Sequence, residues 1–310
     1  MKFLKPALTL SQQLQKWQVR GLNVPDPQRA THFLRFIGYY RLSAYALPFQ
    51  VLSQPDKRFQ PGTGFDQILD LYVFDRELRL LVMDAVERIE VAFRICLVNE
   101  MSVRHGPHWF TEAKHFYPNF KHHELLDRVD KELRIPRGAT RPTSVHQEVF
   151  INHYYTKYTD PYLPPAWMIA ETLSLGVWSR VYENLRGAAE RKAIATEFRV
   201  DEQVLKSWLH ALTYLRNLCA HHARLWNRQF VIKPVIARKH AGFLKANDRF
   251  YAMAIIIWEL LRLIAPHSHW HRRLSELFQQ FGQVPAKAMG FPPNWRTEAF
   301  WDLNHFDFEI

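Results

Sequence analysis

The chain has 310 residues, 47% hydrophobic and 14% aromatic, with 41 Lys+Arg against 30 Asp+Glu and a formal net charge of +11. That apolar content excludes a disordered chain and is enough to bury a core without staples, while 11 glycines and little Val/Thr alternation exclude an all-β fold. The excess of basic residues and a sequence pI near 9.7 imply an anionic partner, of which nucleic acid is the commonest for a basic protein.

In chain order, residues 11–19 predict a short first helix. Asp26 as N-cap with Pro27 at the first helical position opens a second that runs to about residue 45. Residues 54–64, with Pro55, Pro61, Gly62 and Gly64, predict a loop. From 66 to about 103 the spacing of Val82, Ala85, Val86, Ile89, Phe93, Cys96 and Leu97 predicts one long helix. Glu87, Glu90 and Arg94 lie off its apolar stripe, which on spacing alone is a solvated charged face. Residues 121–135 predict another helix. The basic, turn-rich connector 136–142 follows and is the candidate subdomain boundary in what otherwise reads as a single domain over 1–310. Helical pattern resumes after 143 to about 158, then across 167–185 as one or two helices with Gly176 between them, then over 188–198.

Asp201 predicts the cap of the next helix, whose apolar stripe is Val204, Leu205, Trp208, Leu209, Leu212, Leu215 and Cys219. On an ideal wheel Arg216 falls within that stripe, where a charge requires a carboxylate, a phosphate or a wet cleft. His221 falls well round the wheel, so either the helix loosens after Ala220 or the two residues act with those of a second subunit. Cys96 and Cys219 each sit in an amphipathic stretch, which reads as reduced core and a reducing compartment. The longest apolar run, 251–265, is interrupted by Glu259 and Arg262 and is too short to span a bilayer. With no apolar stretch behind the first six residues to suggest a signal peptide, the expectation is a cytoplasmic protein with no membrane association.

The string R-N-L-C-A-H-H-A-R-L-W-N-R at 216–228 gathers groups suited to phosphate chemistry. A guanidinium binds phosphate oxygens through paired hydrogen bonds, and an imidazole exchanges a proton near neutrality. His210, Cys219, His221 and His222 match no zinc spacing, and His267, His269 and His271 read as a polar turn before the last large helix. Neither a phosphate-binding Gly-Lys loop nor a dinucleotide fingerprint is present, so no metal and no cofactor are expected.

Arg216, Asn217 and His221 reproduce the arginine–x4-6–histidine signature of HEPN-domain ribonucleases, with His222 fitting its looser form. The longer string resembles that of the Abi-like abortive-infection family, the AbiD/AbiF group of phage-defence proteins. Further segments at 38–45, 72–79, 87–94, 167–176 and 290–295 carry the resemblance over roughly residues 10 to 300. It implies an all-α helical bundle, a HEPN-like core with additional N- and C-terminal helices, and a homodimer whose two motifs face a shared groove. It also implies a metal-independent endoribonuclease acting as a toxin, in which the 2'-hydroxyl of RNA attacks its own phosphate. His221 would transfer the proton, Arg216 would hold the phosphate oxygens, and Asn217 would position one of them or anchor His221. His222 and Glu90 are secondary candidates, the latter with Arg94 holding a neighbouring helix or orienting Arg216. Arg224, Asn227 and Arg228 are expected on backbone phosphates and Trp226 in the core. A structured noncoding RNA is the restraint the resemblance suggests, and a non-catalytic protein recognising such an RNA is the alternative reading.

Overall fold

The apolar periodicity is realised, in a computed structural model described for residues 2, 6–51, 53 and 56–301, as twelve α-helices. Strand pairing among the described residues amounts to three isolated bridges, so the fold is all-α. No described helix is long and apolar enough to cross a membrane. The chain packs as two compact units, the described parts of 1–80 with 274–285, and of 81–273 with 286–310. The basic connector 136–142 lies inside the second unit.

In the first unit, α1 (Leu10–Val19) starts at a reciprocal cap. The Thr9 hydroxyl accepts from Gln12 N–H at 3.3 Å and the Gln12 side chain accepts from Thr9 N–H at 2.9 Å. α2 (Pro27–Phe36) opens as expected, with the Asp26 carboxylate accepting from Arg29 N–H at 2.9 Å. It does not continue to residue 45. Gly38, at φ 93°, breaks the chain between α2 and α3 (Tyr39–Ala46), a left-handed backbone that only glycine adopts cheaply. Of the predicted 54–64 loop, residues 54 and 55 lie outside the described residues. The rest is irregular, pinned by Val51 N–H on the Arg58 carbonyl at 2.8 Å. The long helix is present as α4 (Phe65–His105). Within this unit its Asp75 and Arg79 form an ion pair with both side chains buried, and the Tyr45 hydroxyl donates to Asp75 Oδ2 at 2.6 Å. Burial first, and the Asp75 charge second, push the Tyr45 phenol well above its ordinary range.

The second unit contains α5 (His122–Glu132), α6 (Val149–Lys157), α7 (Ala166–Ala170), α8 (Leu175–Asn184), α9 (Ala188–Glu197), α10 (Glu202–Ala220) and α11 (Phe250–Ile264). α12 (Trp270–Gln280) opens after a turn holding His267 and His269. Every residue of α11 from 250 to 261 is buried, the behaviour of a helix apolar all round, and α10 packs against α8, α9 and α11. Helix does not resume at 143 but at Val149, because the preceding segment is tied up by polar side chains. Asn152 Oδ1 accepts from His146 N–H and its Nδ2 donates to the His146 carbonyl, both at 2.7 Å. The break in the 167–185 stretch falls at 171–174 rather than at Gly176, which sits in the first turn of α8.

The charges that interrupt the apolar run of α11 are paired. Glu259, 7% exposed, accepts from His240 Nε2 at 3.2 Å and forms ion pairs with Lys239 and Arg262. Burial raises the Glu259 pKa, but the His240 hydrogen bond and the neighbouring cations outweigh it and pull it down to about 2. Cys96 is half-buried and Cys219 buried, and neither is in a disulfide.

Candidate active site at the end of helix α10

α10 starts where Asp201 accepts from Gln203 N–H at 2.8 Å and buries Leu205, Trp208, Leu209, Ala211, Leu212, Leu215 and Cys219, closely the stripe read from sequence; Val204 is only half-buried. It ends at Ala220 in a left-handed stop. His221 is the C-cap, His222 has φ 55°, and two crossed hydrogen bonds close the turn, His222 N–H to the Cys219 carbonyl at 2.9 Å and Ala223 N–H to the Leu218 carbonyl at 2.8 Å. The loosening after Ala220 is therefore present within one chain. Arg216 and Asn217 occupy the last turn of the helix, and His221 and His222 the stop itself.

Arg216 is half-buried, and Asn217, His221 and His222 are exposed. The side-chain contact of Arg216 is local, Nη1 to Asn217 Oδ1 at 3.5 Å, and no carboxylate lies within ion-pair distance of it among the described residues. Of the three environments a cation in this stripe requires, the structure supplies the wet one. There is no acidic residue in the whole 216–228 string.

The loop beyond is anchored rather than loose. Leu225 and Trp226 are buried, as expected for Trp226. Arg228 Nε donates to the Arg224 carbonyl at 2.6 Å, and Phe230 N–H and Gln229 Nε2 both reach Asp248 at 2.8 Å. Asn227, at φ 48°, has its Oδ1 held by Arg249 Nη1 at 3.1 Å. Arg224 and Arg228 are half-buried and Asn227 exposed. Arg249, the N-cap of α11, is a cation beside the motif that no local pattern in the sequence marks.

Glu90 and Arg94 do not face solvent as a charged pair. Glu90 Oε1 accepts from Leu175 N–H, at the start of α8, at 2.8 Å. Arg94 Nη1 donates to the Ala170 carbonyl, at the end of α7, at 3.2 Å, and Nη2 contacts Glu171 at 3.4 Å. One turn of α4 thus clasps the α7–α8 junction by both its orphan ends, anion on the N-terminus and cation on the C-terminus. The neighbouring helices are held, and the Glu90 carboxylate is occupied in holding them. No group of three His, Cys, Asp or Glu side chains among the described residues is placed to hold a metal.

An all-helical chain ending a core helix in a cluster of arginine, asparagine and histidine defines the class. Residues 32–227 match the family described as Abi-like protein, and the chain belongs to it. That match reaches from α2 through Asn227 and so takes in Glu90 and every site residue but Arg228, though it is narrower than the 10–300 suggested by the sequence. No curated protein and no solved structure matches the chain.

Proposed function

We propose that the chain is a metal-independent endoribonuclease of the HEPN type, an abortive-infection effector of the AbiD/AbiF group. What supports the reading is position: Arg216 and Asn217, in contact at 3.5 Å, occupy the last turn of α10 and His221 is its exposed C-cap, with no carboxylate paired to the guanidinium among the described residues. In the reaction, His221 removes the proton from the 2'-hydroxyl or returns one to the departing 5'-oxygen. The 2'-oxygen attacks phosphorus, the P–O5' bond breaks, and a 2',3'-cyclic phosphate and a 5'-hydroxyl result. Arg216 holds the non-bridging oxygens as charge builds on them, and Asn217 orients the phosphate or His221. His221 supplies one imidazole per copy. A homodimer facing two motifs across one groove supplies the second proton-transfer group, with His222 the weaker candidate within the same chain. Arg224, Asn227 and Arg228 flank the site as phosphate contacts, and a structured noncoding RNA fits the restraint such a cationic toxin needs.

The test is cleavage of total RNA with EDTA present and analysis of the product ends. Arg216→Ala and His221→Ala are each expected to lower the rate by at least about 10²-fold, the size of a lost acid–base or electrostatic group, with the thermal transition retained. Parental rates in either variant refute the assignment. Salt-sensitive RNA binding by a parent that never cleaves identifies a non-catalytic RNA-binding protein instead.

A further inference from the structure

The motif ends a helix whose preceding turns border a cleft of about 650 Å³ between α5, α8 and α10, a volume in the range of small-ligand sites. α10 contributes His210 and Thr213 to it. Asn217 lies seven and four residues further along, so it continues the face that His210 and Thr213 present. The step from Thr213 to Asn217 is a rise of about 6 Å, on the order of one nucleotide. The Thr213 side chain packs on the α8 backbone at Gly176, where an added Cβ would stand 3.2 Å from Thr213 Cγ2. Thr213 Oγ1 is buried there with no hydrogen-bond partner. The walls are apolar, from Phe120, Leu125 and Val177. The rim carries the basic side chains of Lys121, Arg128 and Arg180, 67%, 47% and 66% exposed, with Arg128 paired to Glu132 at 2.7 Å. The two carboxylates of the cleft already have cations, Glu124 with Lys121 at 2.8 Å and Glu183 with Lys206 at 3.1 Å. Arg180 stands 4.0 Å from Glu124, an exposed contact a phosphate displaces at little cost.

We propose that this cleft receives the base and flanking phosphate of an unpaired RNA nucleotide next to the scissile linkage, so that the enzyme prefers single-stranded RNA. An apolar slot beneath a rim of exposed basic side chains matches an unstacked base joined to its phosphodiester. The proposal rests on the nuclease reading for its register, while its binding arm is independent of it. Two altered proteins probe it: the surface double variant Arg180→Ala/His210→Ala, and Val177→Trp, which fills the slot. Each is compared with the parent on a dinucleotide carrying only the scissile linkage, on a longer single-stranded oligonucleotide, and for binding an uncleavable 2'-O-methyl copy of that oligonucleotide. The ratio of kcat/KM on the oligonucleotide to that on the dinucleotide is expected to fall by about 10- to 100-fold, the worth of one stacked base with its contacts, and binding to weaken in parallel. Loss of binding in the variants of a parent that does not cleave supports the cleft and refutes the nuclease. Parental ratios and parental binding in the double variant overturn the cleft and leave the nuclease standing.

Discussion

At the residue scale the backbone of His222 is, like that of Asn227, in a left-handed conformation. A non-glycine residue at φ 55° sits in a region that costs an L-residue on the order of 1 kcal/mol, at the position where helix stops favour glycine. His222→Gly is therefore expected to raise unfolding stability by about 1 kcal/mol, read by urea denaturation, and the same protein reports whether the second imidazole contributes to cleavage. A fall in stability would show that contacts of the His222 side chain outweigh the backbone relief. Arg216 teaches the complementary point. The wheel assigns it to the apolar stripe, and the structure leaves it half-exposed because the helix ends one turn later, lifting the guanidinium toward solvent.

At the element scale, what could be read from the chain is what depends on near neighbours. The Asp201 and Asp26 caps, the stripe of α10 and the length of α4 follow from residues within a few positions of one another, and they stand where expected. The α2–α3 break was hidden because the residues on either side of Gly38 keep a helical pattern while the break lies in one backbone angle. That Glu90 and Arg94 hold a neighbouring helix came with the resemblance and not from spacing, since their partners Leu175 and Ala170 are 85 and 76 residues away and charge spacing along α4 carries no record of them. The same holds for the cleft, which exists only once α5, α8 and α10 meet. Glu90→Ala should lower stability by about 1 kcal/mol, as loss of an N-cap does, measured by chemical denaturation. Gly176→Val, forced against Thr213 at 3.2 Å, should cost about 1–3 kcal/mol. Parental stability in Glu90→Ala would mean that the α8 N-terminus finds another acceptor.

At the scale of the whole molecule, charge governs both acid stability and partner choice. The Glu259 carboxyl, ordinarily near 4.5, is held at about 2 in the folded chain. Because the folded value is the lower one, its stabilisation is complete above the ordinary carboxyl pKa and disappears as pH falls through the native value. Unfolding titrations are expected to show a loss between about pH 5 and 2 that is flattened in Glu259→Ala, itself less stable by about 3–5 kcal/mol at neutral pH because Arg262 loses its buried counter-charge and His240 a hydrogen-bond partner. An acid limb of unchanged slope in that variant would place the effect on other carboxylates. The +11 net charge predicts in turn that any RNA affinity drops steeply with added salt.

The complete burial of α11 bears on how the protein is made. The cationic end of α10 leaves the ribosome first, and 221–264, a stretch of 44 residues, must follow before α11 is complete. At about 5–20 residues per second the part of α10 that packs on α11, as distinct from its contacts with α8 and α9, waits about 2–9 s to be covered. Throughout that interval the apolar surface that α11 later covers stays open to other chains, so the yield of folded protein is expected to depend on chaperone supply.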